Sequence, residues 1–200
     1  MNDIENVSRE TLDALQKYVS LVEKWNPAIN LVSKKSVEDL WERHILDSVQ
    51  IYRCAEPGKI WVDIGSGGGF PGIVAAIMAK TENPNTKFVL IESDLRKGVF
   101  LKTVIRELNL KAEVITNRIE KVQAMNADIV SARALANLNA LLSYVDIHLA
   151  KGGTALLPKG ISVDQEIADA KGNWQFQYDK IQSKTDSQAF ILKVKDIVSA

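Results

Sequence analysis

Residue types that define whole classes of protein are scarce in this chain. Its 200 residues include one cysteine, Cys54, and two histidines, His44 and His148. A single cysteine excludes an intrachain disulfide and favours a reducing compartment. These three residues also fail to match the ligand spacing of any usual zinc site. We therefore predict a protein that has neither a disulfide nor a metal cofactor.

The chain also lacks an excess of either charge and any long apolar run. Lysine and arginine together number 25, as do aspartate and glutamate. A globally basic nucleic-acid-binding protein is thereby excluded, although a local basic face is not. No apolar stretch approaches the roughly 20 residues that span a bilayer, and residues 1–5 lack the basic start of a signal peptide. We expect a cytoplasmic protein without a membrane segment.

The chain divides at about residue 58 into two kinds of pattern. Residues 1–58 are predicted to form an N-terminal helical extension, with a first helix that Ser8 caps and Pro27 stops. A second helix is expected to begin at Ser36 and to carry an Arg43–Asp47 pair on its polar face. We expect this extension and the remainder of the chain to form one compact, monomeric unit.

Residues 59–200 alternate between strand and helix patterns. This alternation is typical of a mostly parallel sheet covered on both faces, and it predicts the α/β class. We predict strands at 60–64, 87–91, 112–116, 127–131 and 154–157. Alternating apolar residues at 174–178 and 190–194, separated by a turn, predict a final hairpin, so the last strand should be antiparallel to the others.

The most informative stretch joins the first predicted strand to a predicted helix. It reads Asp63-Ile64-Gly65-Ser66-Gly67-Gly68-Gly69-Phe70-Pro71-Gly72. Glycines at such a junction let the backbone approach a ligand closely and adopt positive φ without steric cost. The helix that follows offers free N–H groups and the positive end of its dipole. The stretch therefore predicts a nucleotide-type binding loop, with Gly65 and Gly67 as candidate contacts.

Two ligands are compatible with this loop. Gly67-x-Gly69-x-x-Gly72 matches the dinucleotide fingerprint, with Glu92 lying 20 residues further on, so an NAD(P)-dependent oxidoreductase is one hypothesis. Asp63 before the glycines, the antiparallel last strand and the lack of an obvious hydride-transfer site favour S-adenosylmethionine and a class I methyltransferase instead. A non-catalytic ligand-binding module is a third hypothesis.

Side chains at the ends of neighbouring strands complete the predicted site. Glu92 can accept hydrogen bonds from both ribose hydroxyls of either cofactor. Ile119 and Glu120 follow the third strand, where they can cover an adenine ring and accept from its amino group. Arg133 follows the fourth strand, and its planar guanidinium suits a carboxylate or a phosphate. His44, on an apolar stripe, is interpreted as a hydrogen-bonded core residue.

Motifs that the chain lacks argue against two kinds of methyl acceptor. Ser131-Ala132-Arg133-Ala134 stands where many enzymes that methylate amino or amide nitrogens have an Asn/Asp-Pro-Pro-aromatic segment. Methylation of carbon 5 of a pyrimidine needs a cysteine nucleophile, whereas Cys54 lies in the helical extension. The remaining kind of acceptor owns a free lone pair, such as a ring nitrogen, so we predict no catalytic acid or base.

Four separated segments resemble one family, the bacterial small-subunit rRNA guanine-N7 methyltransferase RsmG, formerly called glucose-inhibited division protein B. The resemblance covers residues 21–160. The segments are Trp25-Asn26-x-x-x-Asn30-Leu31, Arg43-His44-Ile45-Leu46-Asp47-Ser48, the glycine loop Asp63 to Gly72, and Ser131-Ala132-Arg133-Ala134. By this resemblance Gly65 and Phe70 contact S-adenosylmethionine, Ile119 and Glu120 flank its adenine, and Arg133 lines the same pocket.

The resemblance also implies a reaction and a partner. It implies direct methyl transfer to N7 of guanine 527 in 16S rRNA, as free small-subunit rRNA or within a 30S particle. Two segments depart from the family pattern, since Glu92-Ser93 replaces Asp-Ser and Arg96-Lys97 replaces Lys-Arg. Glutamate keeps a ribose acceptor, whereas the exchanged basic pair shifts each donor by one helical position, so both basic residues are left out of the predicted site.

A basic surface for RNA has to be local, because the net charge is zero. Candidate contributors lie in both parts of the chain. They are Lys34, Lys35, Arg43, Arg96, Lys97 and Arg133.

Overall fold

The computed structural model of the protein describes residues 7–33, 37–56 and 58–200. Its helices are α1 Arg9–Ile29, a π-helical segment Trp41–Leu46 that continues into α2 Asp47–Arg53, α3 Gly72–Glu82, α4 Leu95–Leu108, α5 Leu138–His148 and α6 Val163–Ala170, with a short 3-10 helix at Ile119–Lys121. Its strands are β1 Ile60–Ile64, β2 Lys87–Ile91, β3 Ala112–Ile115, β4 Ala127–Ser131, β5 Leu149–Lys159, β6 Trp174–Gln182 and β7 Phe190–Ser199.

The seven strands form one sheet in the order β3-β2-β1-β4-β5-β7-β6. Strands β1 to β5 pair in parallel, whereas β7 is antiparallel to both β5 and β6. The predicted α/β class and terminal hairpin are therefore confirmed. Strand β5 is longer than predicted, because the preceding helix ends at His148 and the extended backbone begins immediately afterwards.

Helices cover both faces of the sheet, and neighbouring strand residues point to opposite faces. Trp61 packs into the core shared with α1, α2, α3 and α4, whereas Val62 packs into the core shared with α5 and α6. Helix α3, at the centre of the sheet, is buried almost all round, which explains its continuous apolar sequence. No helix in the three described ranges is long and apolar enough to cross a membrane.

The first helix does not stop at Pro27, so that prediction was wrong. Helix α1 continues to Ile29 and ends where Asn30 adopts a left-handed conformation. Proline removes one backbone donor, and here the loss falls in the last turn, where Ile29 is buried and Asn26 supports the chain that follows. The Asn26 side chain accepts a hydrogen bond from the backbone N–H of Val32 at 2.9 Å.

The second predicted helix begins outside the described residues at Ser36, and the expected Arg43–Asp47 pair is not formed. Asp47 instead accepts hydrogen bonds from the hydroxyls of Ser183 and Thr185 at the turn of the terminal hairpin. Residues 41–46 are π-helical, and the wider turn of a π-helix takes residues four apart out of alignment. This difference explains why a spacing rule for α-helices fails here.

The division at residue 58 remains a prediction. Residues from both sides of that point pack into the same apolar core, among them Tyr18, Ile45, Phe70 and Ile73.

Candidate active site

A cavity of about 530 Å³ lies at the carboxyl ends of β1, β2, β3 and β4. The register places Ile64 beside Ile91, and Ile91 beside Ile115, so the loops that follow these strands converge at one edge of the sheet. All the residues predicted for the site line this cavity. They are Gly65, Gly67, Phe70, Glu92, Ile119, Glu120 and Arg133.

The glycine loop has a backbone that other residues adopt with difficulty. Gly65 and Gly67 have φ angles of 64° and 56°, in the left-handed region. A Cβ on Gly65 would lie 2.6 Å from Cδ1 of Leu135, whereas a Cβ on Gly67 would have nothing nearer than 3.8 Å. Gly65 is therefore required by both conformation and close packing, and Gly67 by conformation.

Glu92 fastens this loop to the end of β2. Its Oε2 accepts from the backbone N–H of Gly67 at 2.7 Å, and its Oε1 accepts from that of Asp94 at 2.8 Å. The predicted role was a ribose acceptor, and the structure adds a second role as a clamp. Each carboxylate oxygen offers two lone pairs, so one on each oxygen remains for a ligand.

Asp63 lies beneath the loop and does not line the cavity. Its Oδ1 accepts from the Ser131 hydroxyl at 2.6 Å, and that hydroxyl accepts from the Trp61 indole N–H at 2.8 Å. Its Oδ2 is buried without a hydrogen-bond partner. Burial raises the pKa of Asp63 to about 6, against the lowering effect of the Ser131 hydrogen bond. Asp63 therefore links the ends of β1 and β4.

Phe70 supports Arg133 from below. The Phe70 ring is only 4% exposed, and the Arg133 guanidinium carbon lies 5.1 Å from its centroid. Nη1 of Arg133 donates to the Arg43 carbonyl at 3.4 Å. Burial lowers the pKa of Arg133, and the nearby Asp47 opposes that shift. These contacts hold the guanidinium at the cavity, and they leave only a small part of the Phe70 ring available to a ligand.

His44 stacks on Phe70 but is not the hydrogen-bonded core residue that its position in the sequence predicts. The two ring centroids are 4.9 Å apart, and both ring nitrogens of His44 are buried without a partner. The pKa of His44 is lowered to about 3, mainly by burial and to a smaller extent by the charges of Arg133 and Arg43. The imidazole is therefore neutral at physiological pH.

Several cavity residues were missed by sequence reasoning. Lys97 was left out of the predicted site, yet it lines the cavity, whereas Arg96 is exposed and lies 3.6 Å from Asp94. The basic pair after the second strand was a usable signal for Lys97. Tyr144 had no local signal, because only the packing of α5 against the sheet brings it there. Leu135 lies two residues after Arg133 in the loop that follows β4, so the strand-end pattern was a usable signal for it.

The predicted basic surface is only partly described. Of its described members, Lys97 and Arg133 line the cavity and Arg133 donates to the Arg43 carbonyl, whereas Arg96 is exposed on α4. Lys34 and Lys35 lie outside the described residues.

Within the described ranges, no group of three or more His, Cys, Asp or Glu side chains is placed to hold a metal ion.

The fold and this cavity define a class of protein. An S-adenosylmethionine-dependent methyltransferase from Aquifex aeolicus is similar, with a TM-score of 0.62 at 13% identity over 89% of this chain and 98% of that one. A methyltransferase from Geobacter sulfurreducens has a TM-score of 0.61 at 11% identity, over 96% and 90% of the two chains. The protein has the Rossmann-like class I fold of S-adenosylmethionine-dependent methyltransferases, as predicted.

The particular family follows from the sequence. The family model GidB, described as rRNA small subunit methyltransferase G, matches residues 11–191. A ribosomal RNA small subunit methyltransferase G from Ruegeria pomeroyi is 52% identical over 192 residues, 96% of this chain and 94% of that protein. One from Cereibacter sphaeroides is 49% identical, over 95% and 93%. The chain belongs to the rRNA small subunit methyltransferase G family, which confirms the predicted family and opposes the oxidoreductase hypothesis.

Proposed function

We propose that this protein transfers the methyl group of S-adenosylmethionine to N7 of a guanine in small-subunit rRNA, guanine 527 of 16S rRNA by resemblance. The observation that carries the proposal is the cavity at the carboxyl ends of four parallel strands. Its described lining combines a glycine loop, a carboxylate and a guanidinium. These are the groups that a nucleoside bearing an amino-acid chain requires.

The cavity residues fit this cofactor in chemistry as well as in position. Glu92 retains one free lone pair on each oxygen for the two ribose hydroxyls. Ile119 and Glu120 offer an apolar surface and an acceptor for adenine. Arg133 offers a planar donor pair for the carboxylate of the methionine part. When bound, the cofactor supplies an electrophilic methyl group on a sulfonium.

The protein's part in the reaction is alignment. N7 of guanine carries an unprotonated lone pair, so its methylation requires no general base. Apolar side chains at the cavity, including Leu31, Phe70 and Leu135, exclude water, and the guanidinium of Arg133 fixes orientation. We therefore assign no catalytic acid or base.

We take the substrate from the family, and from it we propose the partner of this protein and where it acts. Small-subunit rRNA, free or in a particle, is the proposed partner, which agrees with the predicted cytoplasmic location. The target base has to enter the cavity from a loop or after extrusion from a helix. We propose that a monomer suffices, because residues of one chain supply the glycine loop, the carboxylate and the guanidinium that the cofactor requires.

Mapping modified bases in a strain that lacks this gene tests the proposal. The expected result is the loss of one N7-methylguanine from small-subunit rRNA, with restoration by the wild-type gene. Unaltered rRNA would overturn the proposal. Isothermal titration separates the alternatives, since NADH binding without S-adenosylmethionine binding supports an oxidoreductase. Cofactor binding with unlabelled rRNA supports a non-catalytic binding module.

A further inference from the structure

Helix α4 carries an unusual exposed face. From Leu95 to Arg106 the sequence contains four cations and no acid. Leu95 and Val99, one helical turn apart, are 74% and 54% exposed and rank among the most exposed large apolar residues of the described chain. The opposite side of the helix is buried against the sheet and α1.

The cations of this face lie next to those two apolar side chains. Arg96, Lys102 and Arg106 are exposed, and their spacing places them along the same side of the helix as Val99. We call these five residues, Leu95, Arg96, Val99, Lys102 and Arg106, the α4 face. Lys102 has no ion pair within the described part of the chain.

Only two acids adjoin the α4 face within the described residues of the helix and its caps, and both have other partners. Asp94 caps the helix, because its Oδ1 accepts from the backbone N–H groups of Arg96 and Lys97. Glu107 lies 3.3 Å from Lys17 of α1 and 3.9 Å from Arg106. Asp94 also lies 3.6 Å from Arg96. Four cations against these two acids leave residues 94–107 with a net positive charge.

The α4 face begins at the edge of the cavity. Ser93 and Lys97, on either side of the first residues of the helix, line the cavity. A strip of positive charge therefore starts at the site of the proposed chemistry and runs along the helix away from it. Such a strip suits a polyanion that passes over the cavity mouth.

We propose that the α4 face is the surface on which the rRNA segment next to the target guanine docks, an inference that rests on the proposed function. The three cations of the face contact phosphates, and the aliphatic pair Leu95 and Val99 packs against a ribose or an unstacked base. Phosphate contacts supply affinity and position without sequence readout. Apolar contact with splayed bases is typical of RNA recognition.

A double charge reversal tests the docking surface. The test variant is Arg96→Glu/Lys102→Glu, and the control is Lys59→Glu/Lys151→Glu, which reverses two exposed lysines at the opposite, amino-terminal end of the strands. Glutamate at position 96 lies in the first turn of α4, where a negative charge is favourable to the helix dipole, and Lys102 loses no ion pair within the described residues. Melting temperatures of both double variants check that folding is preserved. Binding is measured with small-subunit rRNA from a strain lacking the gene, and methyl transfer is measured with 30S particles from the same strain.

The expected result is at least tenfold weaker rRNA binding in the test variant, with little change in the control. The dependence of log Kd on log salt should become shallower by about one for each phosphate that the variant no longer neutralises. The S-adenosylmethionine affinity should stay within twofold of wild type. Leu95→Ala should weaken rRNA binding several-fold with an unchanged salt slope, because apolar contacts release no counterions.

Equal rRNA binding by the test and control variants would overturn the docking surface while leaving the proposed function intact. Weaker methylation of 30S particles with unchanged affinity for naked rRNA would assign the α4 face to a ribosomal protein, and it would overturn the inference as well. A wild-type protein that methylates neither substrate would overturn the proposed function, and the docking surface with it.

Discussion

Two buried carboxylates at the ends of adjacent strands have different surroundings. Asp63 on β1 is 1% exposed, and Glu92 just beyond β2 is 8% exposed. Glu92 receives a backbone N–H on each oxygen, whereas Asp63 receives one hydroxyl and leaves Oδ2 without a partner. Inside a strand the backbone donors are used by the sheet ladder, but past its end they are free to reach a side chain.

Asp63 pairs with Leu90, so Glu92 lies two residues further along the strand direction, and the two carboxylates have different functions. The carboxylate within the strand joins β1 to β4 through Ser131, out of reach of the cavity. The carboxylate beyond the strand holds the glycine loop and faces the cavity. The four predictions below test this contrast.

The largest effect is expected in the pH dependence of stability. The pKa of Asp63 is about 6 in the folded protein, against 3.8 for an ordinary aspartate, with burial as the main cause. Between pH 4 and pH 6 the folded protein keeps a proton that the unfolded chain has lost, so stability falls as pH rises. The loss is at most about 3 kcal/mol, since one pKa unit corresponds to about 1.4 kcal/mol.

Asp63→Asn removes this titration while keeping an acceptor for Ser131. Urea unfolding of both proteins from pH 4 to pH 8 measures the difference. Relative to the variant, the wild type should lose stability up to about pH 6 and then change no further. If the free energies of unfolding of the two proteins differ by the same amount at every pH, the pKa of Asp63 is not raised in the folded protein.

Glu92→Ala should weaken S-adenosylmethionine binding by about 1–3 kcal/mol, because it removes acceptors for the ribose and releases the Gly67 amide. Isothermal titration measures the affinity. Asp63→Asn is the matched control, since Asp63 does not line the cavity, and its affinity should equal that of wild type. An unchanged affinity in Glu92→Ala would remove Glu92 from the site.

Arg133→Ala should lower kcat/KM for methyl transfer about tenfold or more, equivalent to about 1.4 kcal/mol, because the guanidinium at the cavity is lost. The melting temperature should change little, since the side chain contributes one long hydrogen bond and a contact with Phe70. A large fall in melting temperature would make Arg133 a structural residue. The pKa of Asp63 should rise further, because Arg133 lowers it in the wild type.

The smallest effect compares two glycines of the loop that Glu92 holds. Gly67→Ala should lower the free energy of unfolding by roughly 1–2 kcal/mol, because alanine adopts the left-handed conformation of this residue at about that cost. Gly65→Ala should cost about 1 kcal/mol more, because its Cβ meets Leu135. Denaturant unfolding of the two variants measures the difference. Equal losses of unfolding free energy in the two variants would show that the Leu135 side chain can move away from a Cβ at position 65 without cost.

Much of the architecture was predictable, because strand and helix periodicity reflects burial directly. The bounds predicted for β1, β2 and β4 are those observed. The errors lie where a tertiary contact overrides a local rule. Helix α1 passes Pro27 because its last turn is buried, and Arg43 does not pair with Asp47 because residues 41–46 are π-helical.

The candidate site was predictable in part for the same reason. Gly65 and Glu92 directly follow strands, Arg133 follows the end of β4 by two residues, and parallel strands bring their carboxyl ends together. Tyr144 could not be found, since it reaches the cavity only when α5 packs on the sheet. The unsatisfied His44 was also unpredictable, because its isolation depends on which groups surround it in three dimensions.

The sequence by itself determined the class of fold, the family and the residues that converge on one cavity. The fold and the converging residues follow because apolar periodicity, glycine placement and strand-end polar residues are local consequences of burial and backbone sterics, whereas the family follows from four motif segments. Only the tertiary structure decided how Asp63 and Glu92 divide their roles. That division depends on whether free backbone donors lie within about 3 Å of each carboxylate, which is set by the packing of separate segments.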